Sequence, residues 1–231
     1  MRLDKHLHQC LGISRSQASQ LLRSGRITVN SAITKSGSLH VNEQDIILLD
    51  DSNLQKPGEN LYYFMLHKPQ GYVCANADAN HPGITQLFDI PQADELHAAG
   101  RLDVDTTGLV LVTNDGQWSH RVTSPRKQCD KTYRVWLADP VSDETSKLFA
   151  EGILLRSETQ PTRPAQLEIV TPCEVLLTIH EGKYHQVKRM FAAVGNHVER
   201  LHRERIGALS LDANLPEGSF RALTAEEISL F

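Results

Sequence analysis

Gly100-Arg101-Leu102-Asp103-Val104-Asp105-Thr106-Thr107-Gly108-Leu109-Val110-Leu111-Val112-Thr113-Asn114-Asp115-Gly116 is the stretch on which the reading of this chain turns. Leu109 to Val112 are four consecutive apolar residues, too short a run for a helix, and Asn114-Asp115-Gly116 stops them. That is the pattern of a buried strand ending in a turn. The first half crowds an Arg, two Asp and two Thr between two glycines, just ahead of that strand. A Gly-bounded polar loop feeding a rigid strand is a frequent way to hold a reactive side chain. On spacing alone the same residues also make an Asp/Thr-rich turn whose side chains satisfy local backbone groups.

The rest of the chain bounds the possibilities. Its 231 residues allow one sizeable domain with a small companion. Hydrophobic residues make up 40% and charged residues 23%, as in an ordinary water-soluble domain. No apolar run approaches the ~20 residues that cross a bilayer, and no apolar segment follows Met1-Arg2-Leu3-Asp4-Lys5 to make a secretion signal. A cytoplasmic protein is expected. The four cysteines (Cys10, Cys74, Cys129, Cys173) are scattered and predict free thiols. The eleven histidines show no His-Glu-x-x-His and no zinc spacing with cysteine, so no metal is expected. Net charge is −4, yet through residue 40 six basic residues face Asp4 alone, a local excess of +5. A basic face on an acidic protein suffices for phosphate contacts, which act over about a Debye length of ~10 Å.

Residues 2–11 and 14–24 have helical periodicity, with Ser14 as an N-cap and Gly25 as a stop. Residues 26–30 and 46–49 read as short strands. This makes a small domain over 1–50, marginal on its own. A polar linker with Pro57-Gly58 spans 51–60, and the larger domain runs over 61–231. There, residues 61–67 read as a strand, followed by a Lys68-Pro69-Gln70-Gly71 turn. Residues 117–123 read as a helix, then come a basic Arg126-Lys127 segment and an alternating strand over 131–137. Residues 143–151 form an amphipathic helix, and 164–170 and 174–180 two paired strands. A further helix starts within Glu181–Phe191, with Val187, Met190, Phe191 and Val194 as its apolar face and Gly195-Asn196 as its end. Residues 197–211 carry Arg200, Arg203 and Arg205 in a strand and loop, and Thr224 caps a terminal helix with Glu227 three residues on.

Gly-Arg-Leu-Asp-x-x-Thr-x-Gly-Leu at 100–109 resembles the signature loop of the RsuA/RluA pseudouridine synthases, whose nucleophilic aspartate falls on Asp103. Lys68-Pro69-x-Gly71 is similar to the family's first motif, which supports that loop; Lys68 is a candidate for this supporting role. Lys131-x-Tyr133 is similar to the motif that supplies the active-site tyrosine, although on the residues alone Tyr133 is an ordinary strand tyrosine. Residues 181–191 resemble the last motif, which provides a hydrophobic residue and a basic partner for the aspartate. Val187 and Lys188 match those roles by position, and Arg189 is the close alternative, since one residue turns a helix by ~100°. Arg2-Leu3-Asp4-Lys5 and Ser14-Arg15-Ser16 through Asn30 resemble the S4 RNA-binding module, which implies that Lys5, Arg15, Arg23 and Arg26 meet RNA.

The resemblance covers nearly the whole chain. It implies an α+β fold: an N-terminal S4 domain, then a synthase domain with a large mixed, mostly antiparallel sheet and flanking helices. It also implies conversion of a uridine to pseudouridine: the N1–C1′ bond breaks, the base turns, and C5 joins C1′. No redox change or external group is involved, so no cofactor is expected. Asp103 serves as nucleophile at C1′ or as base at C2′. A nearby cation keeps it ionised in a dry pocket, Tyr133 holds the displaced uracil, and Arg101 fills the vacated space or binds phosphate. Within the family the pattern is closest to the branch that modifies small-subunit RNA, which implies uridine 516 of bacterial 16S rRNA, in a partly assembled particle or free, and a monomeric enzyme. Alternatives are a large-subunit site, or a non-catalytic RNA-binding assembly factor. Asp105 with Asp103 also suggests a hydrolase pair, but residues i and i+2 of an extended segment lie too close for the inverting arrangement; Asp105 is expected to brace the loop.

Overall fold

The computed structural model describes residues 1–42, 44–54, 61–75, 80–124 and 129–231, in two units, Met1–Asn60 and Leu61–Phe231. None of the helices among these residues is long and apolar enough to cross a membrane.

In the first unit Ser14 accepts from the Gln17 amide while the Gln17 side chain accepts from the Ser14 amide, a capping box that starts α2 (Arg15–Arg23) after α1 (Leu3–Leu11). Gly12 ends α1 in the left-handed region, φ +64°, which spares a side chain there. Leu3 and Leu7 of α1 and Ala18 and Leu22 of α2 are buried together with Ile27, Val41 and Ile47. The strands β1 (Ile27–Val29), β2 (Ala32–Ile33), β3 (Ile47–Leu49) and β4 (Ser52–Asn53) pair in the order β2-β1-β3-β4. The run expected to be linker from residue 51 therefore begins inside this sheet: β4 pairs with β3, and Leu54 packs on the small core. Residues 55–60, with Pro57-Gly58, lie outside the described residues, as does Arg126-Lys127.

The second unit comprises β5 (Tyr63–Lys68), β6 (His97–Ala99), β7 (Thr107–Thr113), α3 (Gly116–Thr123), β8 (Lys131–Leu137), α4 (Asp143–Glu151), β9 (Gln166–Thr171), β10 (Glu174–Ile179), α5 (Gln186–Ala193), β11 (Val198–Ile206), β12 (Leu209–Ser210), β13 (Phe220–Ala222) and α6 (Ala225–Ser229). Nine strands form one sheet in the order β13-β5-β7-β11-β8-β10-β9, with β12 beside β11 and β6 beside β7. Only β7 and β11 are parallel, so the sheet is mixed and mostly antiparallel, as expected.

The apolar run of β7 is explained by its two neighbours in space. Val110 and Val112 enter one core with Tyr133, Val135, Val187, Met190 and Phe191, while Leu109 and Leu111 enter a second core with Met65, Trp118 and Val122. A strand covered on both faces needs apolar residues at every position. Four such side chains, each contributing about 1.5–3 kcal/mol of burial, offset the roughly 1–2 kcal/mol per residue that fixing the backbone costs. On the second face Trp118 is fully buried, meets the ring of Phe231 at 5.5 Å, and donates its indole N–H to the Ile228 carbonyl. Asp115 ends the strand and caps α3, accepting from the Gln117 and Trp118 amides.

Two boundaries differ from expectation. The helix expected within 181–191 starts only at Gln186, because residues 181–185 form a braced turn. The segment 197–211 is a nine-residue strand, β11, at the centre of the sheet, with β12 folding back on it.

Gly108 is where β7 and β11 meet. Its φ is +110°, and a Cβ there would lie 2.3 Å from the Arg203 carbonyl oxygen and 2.6 Å from its nitrogen. Both neighbours are backbone and cannot turn aside. Gly108→Ala is accordingly expected to destabilise the fold by roughly 2 kcal/mol or more, measured by urea unfolding; a variant with wild-type stability would show that β7 and β11 do not approach this closely.

Candidate active site

The loop between β6 and β7 is held by its carbonyls. Lys68, the last residue of β5, is fully buried and points its ammonium into the loop, donating to the carbonyls of Thr106 at 2.8 Å, Asp103 and Pro69 at 3.0 Å, and Val104 at 3.4 Å. The Gly71 amide donates to Val104 at 2.8 Å and the Gln70 side chain to Asp105 at 3.2 Å. The four-residue turn 68–71 thus supplies a donor to every carbonyl from 103 to 106. Gly71 reaches its position at φ +84°. A Thr106 N–H bond to the Asp103 carbonyl closes the loop's own turn, and Leu102, buried in the first core, anchors its start while its amide faces Cys74 Sγ at 3.4 Å. Burial pushes the Lys68 ammonium below the usual lysine range, against the opposing pull of the Asp105 and Asp103 charges.

With its backbone fixed, the loop presents two carboxylates to the first turn of α5. Asp103 keeps about 28% of its side chain accessible. One of its oxygens lies 3.4 Å from His185 Nε2 and the other 3.6 Å from Lys188 Nζ. Lys188 is closer to Asp105, with contacts of 2.6 and 2.7 Å. Partial burial pushes the Asp105 carboxyl up, but the hydrogen bond and charge of Lys188 outweigh it and hold the group below the usual carboxylate range. Asp105 therefore braces the loop through Lys188, in keeping with its expected role.

The two basic candidates of α5 part company here. Arg189 points to the opposite side, donating to Glu158 at 3.1 Å and to the carbonyls of Tyr184 at 3.0 Å and Arg156 at 2.6 Å. The ~100° between consecutive helical residues separates a lysine that meets the loop from an arginine that fastens the turn preceding the helix. Arg189 does not reach Asp103, which corrects its inclusion among the residues expected to serve that aspartate. Val187 is buried beneath them in the first core.

Tyr133 lies on β8 and is almost fully buried. Its hydroxyl is 3.4 Å from Nη1 of Arg203, a residue of β11 that the sequence marks only as one of three arginines in a strand and loop. Arg203 is 1% exposed; its Nε donates to the Leu109 carbonyl at 2.8 Å, and its Nη1 also faces the Arg101 carbonyl at 3.4 Å. It thereby joins the tyrosine strand to both ends of the loop. No local pattern marks this, since the contact spans 70 to 102 residues. The Arg101 side chain itself is exposed. His185 was also missed as a site residue, although the motif containing it was noted; only its left-handed backbone, φ 47° and ψ 38°, turns its ring towards Asp103. Such a conformation costs a non-glycine residue roughly 1–2 kcal/mol.

In the first unit Lys5, Arg15 and Arg23 are exposed, and none has a carboxylate partner among the described residues. Arg26 differs. Its Nε lies 2.9 and 3.0 Å from the Asp50 oxygens, so it adds no net charge to this face.

Two family profiles match the chain: RNA pseudouridylate synthase over residues 62–193 and the S4 domain over residues 1–47. Ribosomal small subunit pseudouridine synthase A of Vibrio vulnificus is 56% identical over 231 residues, covering 99% of this chain and 98% of the relative. The protein of the same name from Escherichia coli K12 is 54% identical over 230 residues, covering 99% of each. A solved structure described as a pseudouridylate synthase superposes with a TM-score of 0.75 at 54% identity over the full length of both chains.

Replacing Lys68 with Met leaves several buried carbonyls without a donor. This is expected to cost about 3 kcal/mol and to release the amides of residues 103–106 to hydrogen exchange well before those of β7. Uniform exchange across the unit would show that the ammonium does not hold the loop.

Proposed function

We propose that this chain, which belongs to the RNA pseudouridylate synthase family and carries an S4 domain, converts uridine 516 of 16S ribosomal RNA to pseudouridine. It is an RNA pseudouridine synthase, an isomerase, and its 54–56% identical relatives carry the name of the small-subunit enzyme. The observation that carries the mechanism is the placement of Asp103: a partly accessible carboxylate on a loop whose carbonyls are tied down, 3.6 Å from the ammonium of Lys188.

Asp103 acts on the ribose of the target. Attack at C1′ expels uracil at N1 and leaves a glycosyl ester; abstraction at C2′ expels it by elimination. Both routes need the ionised carboxylate, and both return it when C5 of the turned base bonds to C1′. The Lys188 charge favours that ionised form once RNA excludes water. The substrate and product are isomers, so the chemistry calls for no cofactor. Tyr133 meets the displaced base, and its hydroxyl, placed by Arg203, takes part in removing the C5 proton. Reaching the base requires the uridine to leave its stack, and Arg101, whose side chain is exposed, contacts the RNA there. Lys5, Arg15 and Arg23 bind phosphates, with Arg26 joining them when phosphate displaces Asp50. The enzyme acts as a monomer in the cytoplasm, on RNA of a partly assembled small subunit.

Mapping pseudouridines in ribosomal RNA from cells lacking the protein tests the assignment. One 16S site should disappear and return with the wild-type gene but not with Asp103→Asn. Loss of a large-subunit site would move the protein within its family, and full rescue by Asp103→Asn would favour an assembly factor. With purified enzyme, Lys188→Met should lower the single-turnover rate about 100-fold. Arg189→Met should mainly cost stability, about 1.5–3 kcal/mol. Equal rate losses in the two variants would refute this division of roles.

A further inference from the structure

The turn before α5 is built at some cost and leaves a costly feature on show. Tyr184 is 74% exposed, and no other Phe, Tyr or Trp among the described residues is exposed. It is not loosely placed. Its ring stacks on the imidazole of His185 at 3.8 Å with 20° between the planes. Its carbonyl accepts from Arg189, whose guanidinium is held in turn by Glu158; Glu158 also takes Lys183 at 2.8 Å. Gln186 closes the turn from inside, accepting from the Lys183 amide and donating to Glu181. A solvated surface turn has no need of five bracing contacts and a left-handed histidine.

What the bracing achieves is a two-ring stack that leads from the carboxylate to solvent. His185 Nε2 lies 3.4 Å from one Asp103 oxygen, and the ring face of His185 meets Tyr184. Tyr184 is therefore linked to Asp103 through one intervening ring, and its outer face is open to solvent. When the target uridine leaves its stack, the base next to it loses a partner, and an exposed aromatic face beside the reacting centre can replace that partner.

We propose that Tyr184, supported by His185, is the platform on which the nucleobase adjacent to the reacting uridine stacks. This rests on the assignment of Asp103 as the reacting carboxylate. The ligand is a nucleobase of single-stranded RNA, recognised by its π face and so with little preference among the four bases. Tyr184 binds substrate without touching the reacting atoms, and its loss falls on KM rather than kcat.

The test uses the full chain and a small-subunit RNA fragment containing the target uridine, with 2-aminopurine replacing the base on its 5′ or its 3′ side. Tyr184→Leu should raise KM about 10-fold, while Tyr184→Phe, which keeps the ring, stays within about twofold of wild type. Fluorescence of 2-aminopurine at one of the two positions should be quenched on binding wild type and Tyr184→Phe, but not Tyr184→Leu. The proposal is overturned if Tyr184→Leu keeps the wild-type KM, or if quenching at neither position depends on the ring. Because quenching needs only binding, it decides the stacking question separately from the reaction; failure of wild type to form pseudouridine in this RNA would instead remove the functional assignment.

Discussion

A single buried ammonium organises the catalytic unit. Lys68 has no carboxylate in contact among the described residues, and taking a bare cation out of water costs several kcal/mol even after relaxation. The loop removes that cost by turning its carbonyls inward around the amine. Neither partner is stable in this form alone. The loop carbonyls would be buried without donors, and the amine would be buried without acceptors. This mutual need fixes the backbone on both sides of Asp103, so the carboxylate is aimed by groups that never touch it.

The second layer of control comes from α5, whose first turn sends consecutive residues to different tasks. Val187 points into the core, Lys188 to the two aspartates, and Arg189 to Glu158 and the turn. Lys188 is shared unequally, closer to Asp105 than to Asp103. The unequal sharing has a geometric sense: with Lys188 anchored on Asp105, the Asp103 carboxylate has a cation nearby without being locked into a tight ion pair.

Features set by local chemistry were legible in the sequence. Ser14 caps α2 and Thr224 forms a capping box with Glu227, each where the sequence predicts. The strand over 131–137 and the helix over 143–151 have the bounds their patterns imply. Asp103 and Lys188 are brought together, although the resemblance left Lys188 and Arg189 as alternatives. What escaped depends on partners far away in sequence or on backbone angles that residue type does not encode. Ser52–Asn53 is polar and becomes a strand only because β3 offers an edge. Arg203 looks like any strand arginine until Gly108 is seen against its backbone. His185 gives no periodic signal, since a left-handed residue interrupts the helical pattern it sits beside.

The parallel contact of β7 with β11 has a temporal side. It joins Thr107 to His202 and Gly108 to Arg203, and no shorter-range contact can stand in for it. Lys68 and Asp103 are made first, while the arginine that ties Tyr133 to the loop comes only with β11. Contacts of such long sequence separation form late, because the intervening chain must first be ordered. A nascent chain therefore presents Asp103 and its lysine clamp well before the arginine that joins them to Tyr133 exists, and the site is assembled only once β11 has been made.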